Sequence, residues 1–205
     1  MTIVNDTYTN INIIPKEIIN LCLLFYVMRY KFDPKWKNES MILSDNNTKV
    51  TMPKSSQRSG SVYCIDTISD GIHEIKFKII SMTGDMCIGI WHGSIDSFGN
   101  RYYDPPIDMS WTVWMHKGYD YRITHGITSK ANGAYGDAYG QGVKSGDIIT
   151  MIVDFGSLTL SYNCNDKDLG IAYNIDAGKY KVGVYMDSNS RHDIIGDGVV
   201  EILYM

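Results

Sequence analysis

The sequence predicts an all-β protein, an antiparallel β-sandwich preceded by a short α-helix. Several segments after residue 50 alternate apolar and polar side chains with the period of two expected of a half-buried strand. Turn sequences rich in Gly, Asn and Asp interrupt them about every 8–12 residues, as in sandwiches and barrels. No segment after residue 50 has both the length and the period of a helix, which excludes parallel α/β folds because these need crossover helices.

Residues 1–48 are predicted to be an N-terminal extension, and residues 49–205 the sandwich. A short helix is predicted over residues 15–28, because Pro15 and Glu17 are typical of a helix start. Apolar residues occupy nearly every face of this helix, so it needs cover on several sides. Two alternatives stay open: the helix packs against the sandwich, or it docks onto a partner or a second copy.

Residues 29–50 are predicted to be irregular, since turn-forming Pro, Asn and Asp recur there. Four later segments predict strands with one buried face. Their predicted inward residues are His73, Ile75, Phe77 and Ile79 in HEIKFKI, Leu158, Leu160 and Tyr162 in LTLSYN, Tyr180, Val182, Val184 and Met186 in YKVGVYM, and Val200, Ile202 and Tyr204 in VEILYM. Because His73 shares an apolar face, we interpret it as a hydrogen-bonded core histidine.

Turn chemistry joins two of these strands. Gly156 and Ser157 separate IITMIVDF from LTLSYN, which predicts a two-residue type II′ hairpin. The segment NCNDKD predicts the next turn along the chain.

Composition narrows the classes of partner and compartment. The net charge is −4 and no basic stripe is visible, so neither nucleic acid nor a membrane surface is a predicted partner. The longest apolar stretch, Ile18 to Met28, is shorter than the roughly 20 residues that span a bilayer, and it lacks the features of a secretory signal. The four cysteines have no zinc spacing and are predicted to be reduced thiols of a cytoplasmic protein.

The segment YGQGVKSGDIITMIVDFGSLTLSYNCNDKDLGIAYNI resembles the signature half of SPRY domains of the Ran-binding-protein and SOCS-box types. The resemblance lies in Gly146-Asp147 before a strand, the following hairpin, the Asn/Asp-rich turn and LGIAY at 169–173. DGIHEIKFKI, CIGIW and SWTVWMHKGYDYRITHG are similar to upstream segments of that family, so the resemblance covers about residues 50–205. It implies a concanavalin-like sandwich of the SPRY type.

Two features of the sequence depart from the family pattern. Ile75 and Lys76 stand where the family often has Trp and Glu, and the loop from His92 to Ser110 is long. Within LGIAY, strand alternation predicts that residues 169, 171 and 173 lie on one buried face.

No arrangement of residues predicts catalysis. The glycines around residue 136 do not form a phosphate-binding motif, and no Ser lies in a GxSxG elbow. We therefore predict a non-enzymatic protein without a cofactor or a metal site. The connection DSFGNRYYDPPIDMSW is rich in aromatic residues, which serve well as interface anchors.

The resemblance implies a protein-interaction module, an adaptor that binds a partner loop or peptide through three loops at one end of the sandwich. The candidate partner-binding residues are Pro53, Lys54 and Ser55, Tyr102 or Tyr103, and Met186, Asp187 and Ser188. The alternatives are a structural subunit docked through the apolar helix, or a glycan-binding sandwich. The sequence leaves the oligomeric state and the partner's identity open.

Overall fold

We describe the protein from a computed structural model. It describes residues 15–16, 18, 30–56, 59–82, 84–92, 110–116, 122–125, 137–139, 143–187 and 196–203. In these ranges the strands form two antiparallel sheets, which confirms the predicted all-β sandwich.

Each sheet contains seven strands among the described residues, and every pair of neighbouring strands is antiparallel. Sheet A has, in spatial order, β1 (Phe32–Lys37), β4 (Ser59–Ile68), β13 (Tyr180–Asp187), β6 (Asp85–His92), β7 (Ser110–His116), β8 (Arg122–His125) and β9 (Asp137–Ala138). Sheet B has β12 (Lys167–Asn174), β11 (Thr159–Cys164), β10 (Ile148–Asp154), β5 (Ile72–Ser81), β14 (Gly198–Leu203), β3 (Lys49–Met52) and β2 (Ile42–Ser44). A short 3₁₀ helix, Lys54–Ser56, follows β3.

The core lies between the sheets and is filled by most of the residues that alternation predicts. Leu158, by contrast, lies in a turn and is half-buried, and Tyr204 lies outside the described residues. His73, Ile75, Phe77, Ile79, Leu160, Tyr162, Tyr180, Val182, Val184, Met186, Val200 and Ile202 are all buried. Tyrosines also tie the two layers together. The Tyr162 hydroxyl of sheet B donates to the Ile88 carbonyl of sheet A (3.0 Å), and the Tyr173 hydroxyl donates to the Thr112 carbonyl (2.7 Å).

The hairpin between β10 and β11 lies where the sequence predicts it, but the predicted two-residue type II′ turn is wrong. Asp154 pairs with Thr159, so four residues form the loop. Asp154 Oδ1 accepts hydrogen bonds from the backbone N–H groups of Gly156 (2.8 Å) and Ser157 (3.2 Å). Leu158 then takes a left-handed φ of 54°. The carboxylate therefore holds a longer turn than the Gly-Ser pair alone suggests.

The next hairpin, between β11 and β12, has the tight turn that its composition favours. Cys164 pairs with Lys167, and the two residues between them have φ values of 49° for Asn165 and 63° for Asp166. Two positive φ values are typical of a type I′ turn, to which Asn and Asp adapt at low cost.

Strand β12 corrects the prediction that Leu169, Ile171 and Tyr173 share a buried face. Leu169 and Tyr173 pack against the core, whereas Ile171 is 63% exposed. The register of β12 against β11 shifts twice, between residues 160 and 161 and between 161 and 163. Each shift by one residue turns the following side chain to the opposite face, so simple alternation fails here.

Residues 29–50 are not irregular as predicted, because β1 and β2 lie within them. Strand β1 is an edge strand of sheet A, a position that tolerates Pro34 because its missing N–H is not needed by a neighbour. The sheets thus include part of the predicted extension 1–48. Most of the predicted helix lies outside the described residues, although the Ile18 N–H donates to the Pro15 carbonyl (2.9 Å). No described helix has the length and apolarity to cross a membrane.

Candidate partner-binding site

The strands end at two opposite edges of the sandwich. We call one the Asp187 end, where Met52, Ser59, Ser81, Asp187 and Gly198 terminate or begin their strands. We call the other the Tyr180 end, where Ile68, Ile72, His92 and Tyr180 do so. The eight residues of β13 connect the two ends. At about 3.3 Å per residue, the ends are separated by roughly 23 Å.

The loop after β3 presents two of the predicted site residues at the Asp187 end. The Ser56 N–H donates to the Pro53 carbonyl (3.0 Å), which closes a single 3₁₀ turn. The Lys54 N–H donates to Asp197 Oδ1 (2.9 Å), on the chain leading into β14. The side chains of Lys54 and Ser55 are exposed, while Pro53 is half-buried. A backbone fixed at both points therefore holds the Lys54 and Ser55 side chains towards solvent.

Asp187 lies at the end of β13 and pairs with Ser59, the first residue of β4. Asn38 supports this corner, since its N–H donates to the Ser61 carbonyl (2.9 Å) and its side-chain amide to the Ser59 carbonyl (3.4 Å). A Cβ added at Gly60 would lie 2.4 Å from the Asn38 Cβ, so Gly at residue 60 permits this close approach. Asp187 is half-buried and accessible from this end.

Met186 occupies a different environment from its neighbour. Its side chain is fully buried between the sheets, so only its backbone belongs to the surface of the Asp187 end. Ser188 lies outside the described residues.

Tyr102 and Tyr103 also lie outside the described residues. The strands that flank their loop do not point to the Asp187 end, because β6 ends and β7 begins at the Tyr180 end. There Trp91 pairs with Ser110 and His92 pairs with Tyr180. The structure therefore brings Pro53, Lys54, Ser55 and Asp187 to the Asp187 end. The two strands that flank the loop with Tyr102 and Tyr103 meet that loop at the Tyr180 end.

Asn38 and Asp197 are supporting residues that sequence reasoning did not select. Asp197 is 143 residues from the backbone N–H that it binds, and Asn38 is 21 residues from the Ser59 carbonyl. In the sequence, Asn38 lies in the turn-rich stretch 29–50 and Asp197 lies among the polar residues that precede VEILYM. No local pattern distinguishes them, since their role depends on which strands are neighbours in the fold.

The Tyr180 end contains His73, whose predicted role as a core histidine is confirmed. The His73 side chain is 3% exposed. Its Nε2 lies 2.6 Å from the Asp70 carbonyl, which can only accept, so Nε2 carries the proton. Nδ1 of the neutral ring then accepts from the Tyr30 hydroxyl (2.6 Å). Both ring nitrogens are engaged, so His73 is not placed to bind a metal or transfer protons.

The chemistry of the described interior does not favour nucleophilic catalysis. Burial raises the pKa of the Cys64 thiol to about 12, which keeps it protonated. Burial likewise raises the pKa of Tyr139 to about 12, and its hydroxyl donates to the Gly170 carbonyl (2.6 Å). Among the described residues, no group of three or more His, Cys, Asp or Glu side chains could hold a metal ion.

No protein-family model matches the sequence, and no curated protein matches it. Solved structures do match the fold. The SPRY domain of human HERC1 is 18% identical, with a TM-score of 0.62, over 85% of this chain and 98% of that one. The PSpry domain of TRIM65 is 16% identical, with a TM-score of 0.60, over 92% of this chain and 99% of that one. The chain therefore has the SPRY-type sandwich fold that its signature segment predicts.

Proposed function

We propose that this chain is a protein-interaction module that binds a loop or an extended peptide of a partner through the Asp187 end. The observation that carries the proposal is the position of Lys54, Ser55 and Asp187 at the same end of the sandwich. The Lys54 N–H is held by Asp197. Asp187 pairs with Ser59, whose carbonyl accepts a hydrogen bond from Asn38. A surface already fixed in this way loses little conformational entropy on binding.

The exposed side chains suggest the chemistry of the partner. Lys54 offers an ammonium donor, Ser55 a hydroxyl, and Asp187 a carboxylate acceptor. A polar segment with both donors and acceptors fits these groups better than an apolar helix does. We propose that binding needs no catalytic step, since the fold neighbours are SPRY domains and burial keeps the Cys64 thiol protonated.

Affinity purification with the full chain tests the site. A Lys54→Ala/Ser55→Ala/Asp187→Ala variant removes the side chains but keeps the Lys54 N–H that binds Asp197. We expect the amount of partner that this variant captures to be at least tenfold lower than the amount captured by the wild type. A Lys76→Ala/Lys78→Ala variant, on the outer face of sheet B, is the matched surface control and should capture the partner normally.

A Tyr102→Ala/Tyr103→Ala variant separates the two ends. If this variant alone loses the partner, while the triple variant retains it, the Asp187 end is not the binding site. If both variants lose it, the tyrosine loop contributes to the same surface.

A further inference from the structure

The middle of the outer face of sheet A is buried although it points away from the core, whereas Ile65 on the same face of β4 is exposed. Along β13, Val182, Val184 and Met186 point inward, so the alternate residues of the strand point outward. The residues of β4 and β6 that pair with those alternate residues point outward too. The outward side chains in this region are nevertheless almost inaccessible: Tyr63 is 4% exposed, Cys87 5%, Trp91 2% and Tyr185 8%.

Two of these side chains lie across a glycine in the middle of the sheet. The rings of Tyr63 and Trp91 meet edge to face, with their centroids 5.2 Å apart. A Cβ added at Gly183 would lie 2.7 Å from Tyr63 Cδ1 and 3.1 Å from Trp91 Cζ3. This contact shields one side of each ring and leaves the side that points away from the sheet to be covered by something else.

The cover does not come from the described strands, because they form only two layers with this face on the outside. The Trp91 indole Nε1 is buried as well, and no described residue accepts a hydrogen bond from it. Since a buried indole N–H is normally paired, the covering segment should be mainly apolar and supply one acceptor.

The N-terminal chain starts at the edge of this face. The Lys31 carbonyl accepts from the Ile65 N–H of β4 (2.8 Å), and Phe32 opens β1, the edge strand beside β4. Strand β4 also carries Tyr63. The chain preceding Tyr30 therefore begins one strand away from the buried aromatic pair.

Residues 15–28 have the size and composition that this face needs. Lys16 and Glu17 are the only charged residues of the segment, and they lie at its start. As a helix, it would be about 21 Å long. The four strands from β4 to β7 extend over about 14 Å, at roughly 4.8 Å between neighbours. A helix that is apolar on nearly every side can then place one face on the sheet.

We infer that residues 19–28 of the same chain pack on the outer face of sheet A and cover Tyr63, Cys87, Trp91 and Tyr185, while Pro15, Lys16 and Ile18 at the start of the segment stay exposed. The segment is then a third layer of this domain. Because the apolar side chains of the segment contact sheet A in the folded monomer, the segment is not free to anchor the chain in a larger assembly.

Thiol labelling of the full chain tests this inference, because Cys87 is part of the covered face. Iodoacetamide labelling under native conditions is followed at each cysteine by mass spectrometry. In the wild type, Cys87 should label at least tenfold more slowly than the half-buried Cys164. A Leu23→Asp/Leu24→Asp variant should raise the Cys87 rate at least tenfold. Cys64, which points into the core, should stay protected in both.

A matched control addresses the aromatic loop as the alternative cover. A Phe98→Asp/Tyr102→Asp variant carries the same two charges and should leave the Cys87 rate unchanged. The inference is overturned if only this control exposes Cys87, or if the Leu23/Leu24 variant leaves it protected. A wild-type Cys87 rate that falls with rising protein concentration also overturns it, because a second copy would then be the cover.

Cross-linking provides a measurement that does not displace the segment. Benzoylphenylalanine at residue 185, in the otherwise unchanged full chain, should form an intramolecular cross-link to a peptide from residues 19–28. Cross-links solely to residues 93–109 or to a second copy would overturn the inference, even if the Leu23/Leu24 variant failed to fold.

Discussion

The outer faces of the two sheets differ in composition and in exposure. On sheet B, Lys78 is exposed, Glu74 and Lys76 are half-buried, and Ile72 is 63% exposed. On sheet A, the corresponding face carries Trp91, which is 2% exposed. A sheet face rich in charged residues can be exposed to solvent at little cost. A face with several aromatic side chains is stabilised when another layer of the protein covers it. The difference indicates that the outer face of sheet B is in contact with solvent, whereas the aromatic part of the outer face of sheet A needs a covering layer.

Replacing the central aromatic residue of the covered face should have the largest effect. Trp91→Ala removes a buried indole and its contact with Tyr63, so we expect a loss of about 3–5 kcal/mol in the free energy of unfolding. Ile72→Ala, on the exposed face of sheet B, should cost less than about 0.5 kcal/mol. Denaturant unfolding of both variants measures the difference, and equal losses would remove the distinction between the two faces.

A glycine substitution tests how tightly the same face is packed. A methyl group at Gly183 would lie 2.7 Å from the Val62 carbonyl oxygen, which belongs to the backbone and cannot move aside easily. Gly183→Ala should therefore cost about 1–3 kcal/mol through overpacking. Gly156→Ala is the control, because its methyl group would meet only the Asp154 carboxylate oxygen, at 3.1 Å. Thermal unfolding should show the larger loss at Gly183, and the reverse order would indicate that the aromatic pair adjusts freely.

The same comparison shows what could be predicted from the sequence. Alternation identified the inward face of β13 because each strand residue has only two possible directions. It failed at Ile171, where two register shifts change the direction of the chain's side chains. It also gave no reason to separate Cys87 and Trp91 from other apolar strand residues, since burial on the outward side depends on a third layer that local patterns do not describe.

Only part of the arrangement at the Asp187 end could be predicted from the sequence. Resemblance selected Pro53, Lys54, Ser55 and Asp187, which lie at one end. Their supports, Asn38 and Asp197, become neighbours only through strand order. The loop with Tyr102 and Tyr103 was predicted at the same end, yet the strand residues that flank it lie at the Tyr180 end. The end at which a loop lies depends on the number of strands that separate it from the other loops, and no sequence motif specifies it.

A substitution inside the core gives a stability loss with which the losses on the two outer faces can be compared. Tyr162→Phe removes the hydroxyl that donates to the Ile88 carbonyl across the layers and keeps the ring that fills the core. We expect a loss of about 1–2 kcal/mol, typical of a buried hydrogen bond whose remaining partner is left unpaired. Tyr173→Phe, at the half-buried inter-sheet bond to Thr112, should cost less, because water can reach that site. Equilibrium unfolding in urea measures both, and identical losses would contradict this dependence on burial.

The smallest effect is expected on the solvent side of sheet B, and it should depend on pH. Hydrogen bonds from the Ser157 hydroxyl and from the N–H groups of Gly156 and Ser157 lower the pKa of Asp154 below its usual value. A carboxyl group with a lowered pKa in the folded state stabilises the fold above its unfolded pKa of about 3.9, and this contribution is lost as pH falls through the folded value. Asp154→Asn keeps an acceptor but removes the charge. The wild type should therefore melt at a higher temperature than the variant at pH 7, and the gap should close towards pH 2. A gap that stays constant over this range would show that the turn depends on the shape of the Asp154 side chain rather than on its charge, and would leave the exposed face of sheet B without an electrostatic contribution at this turn.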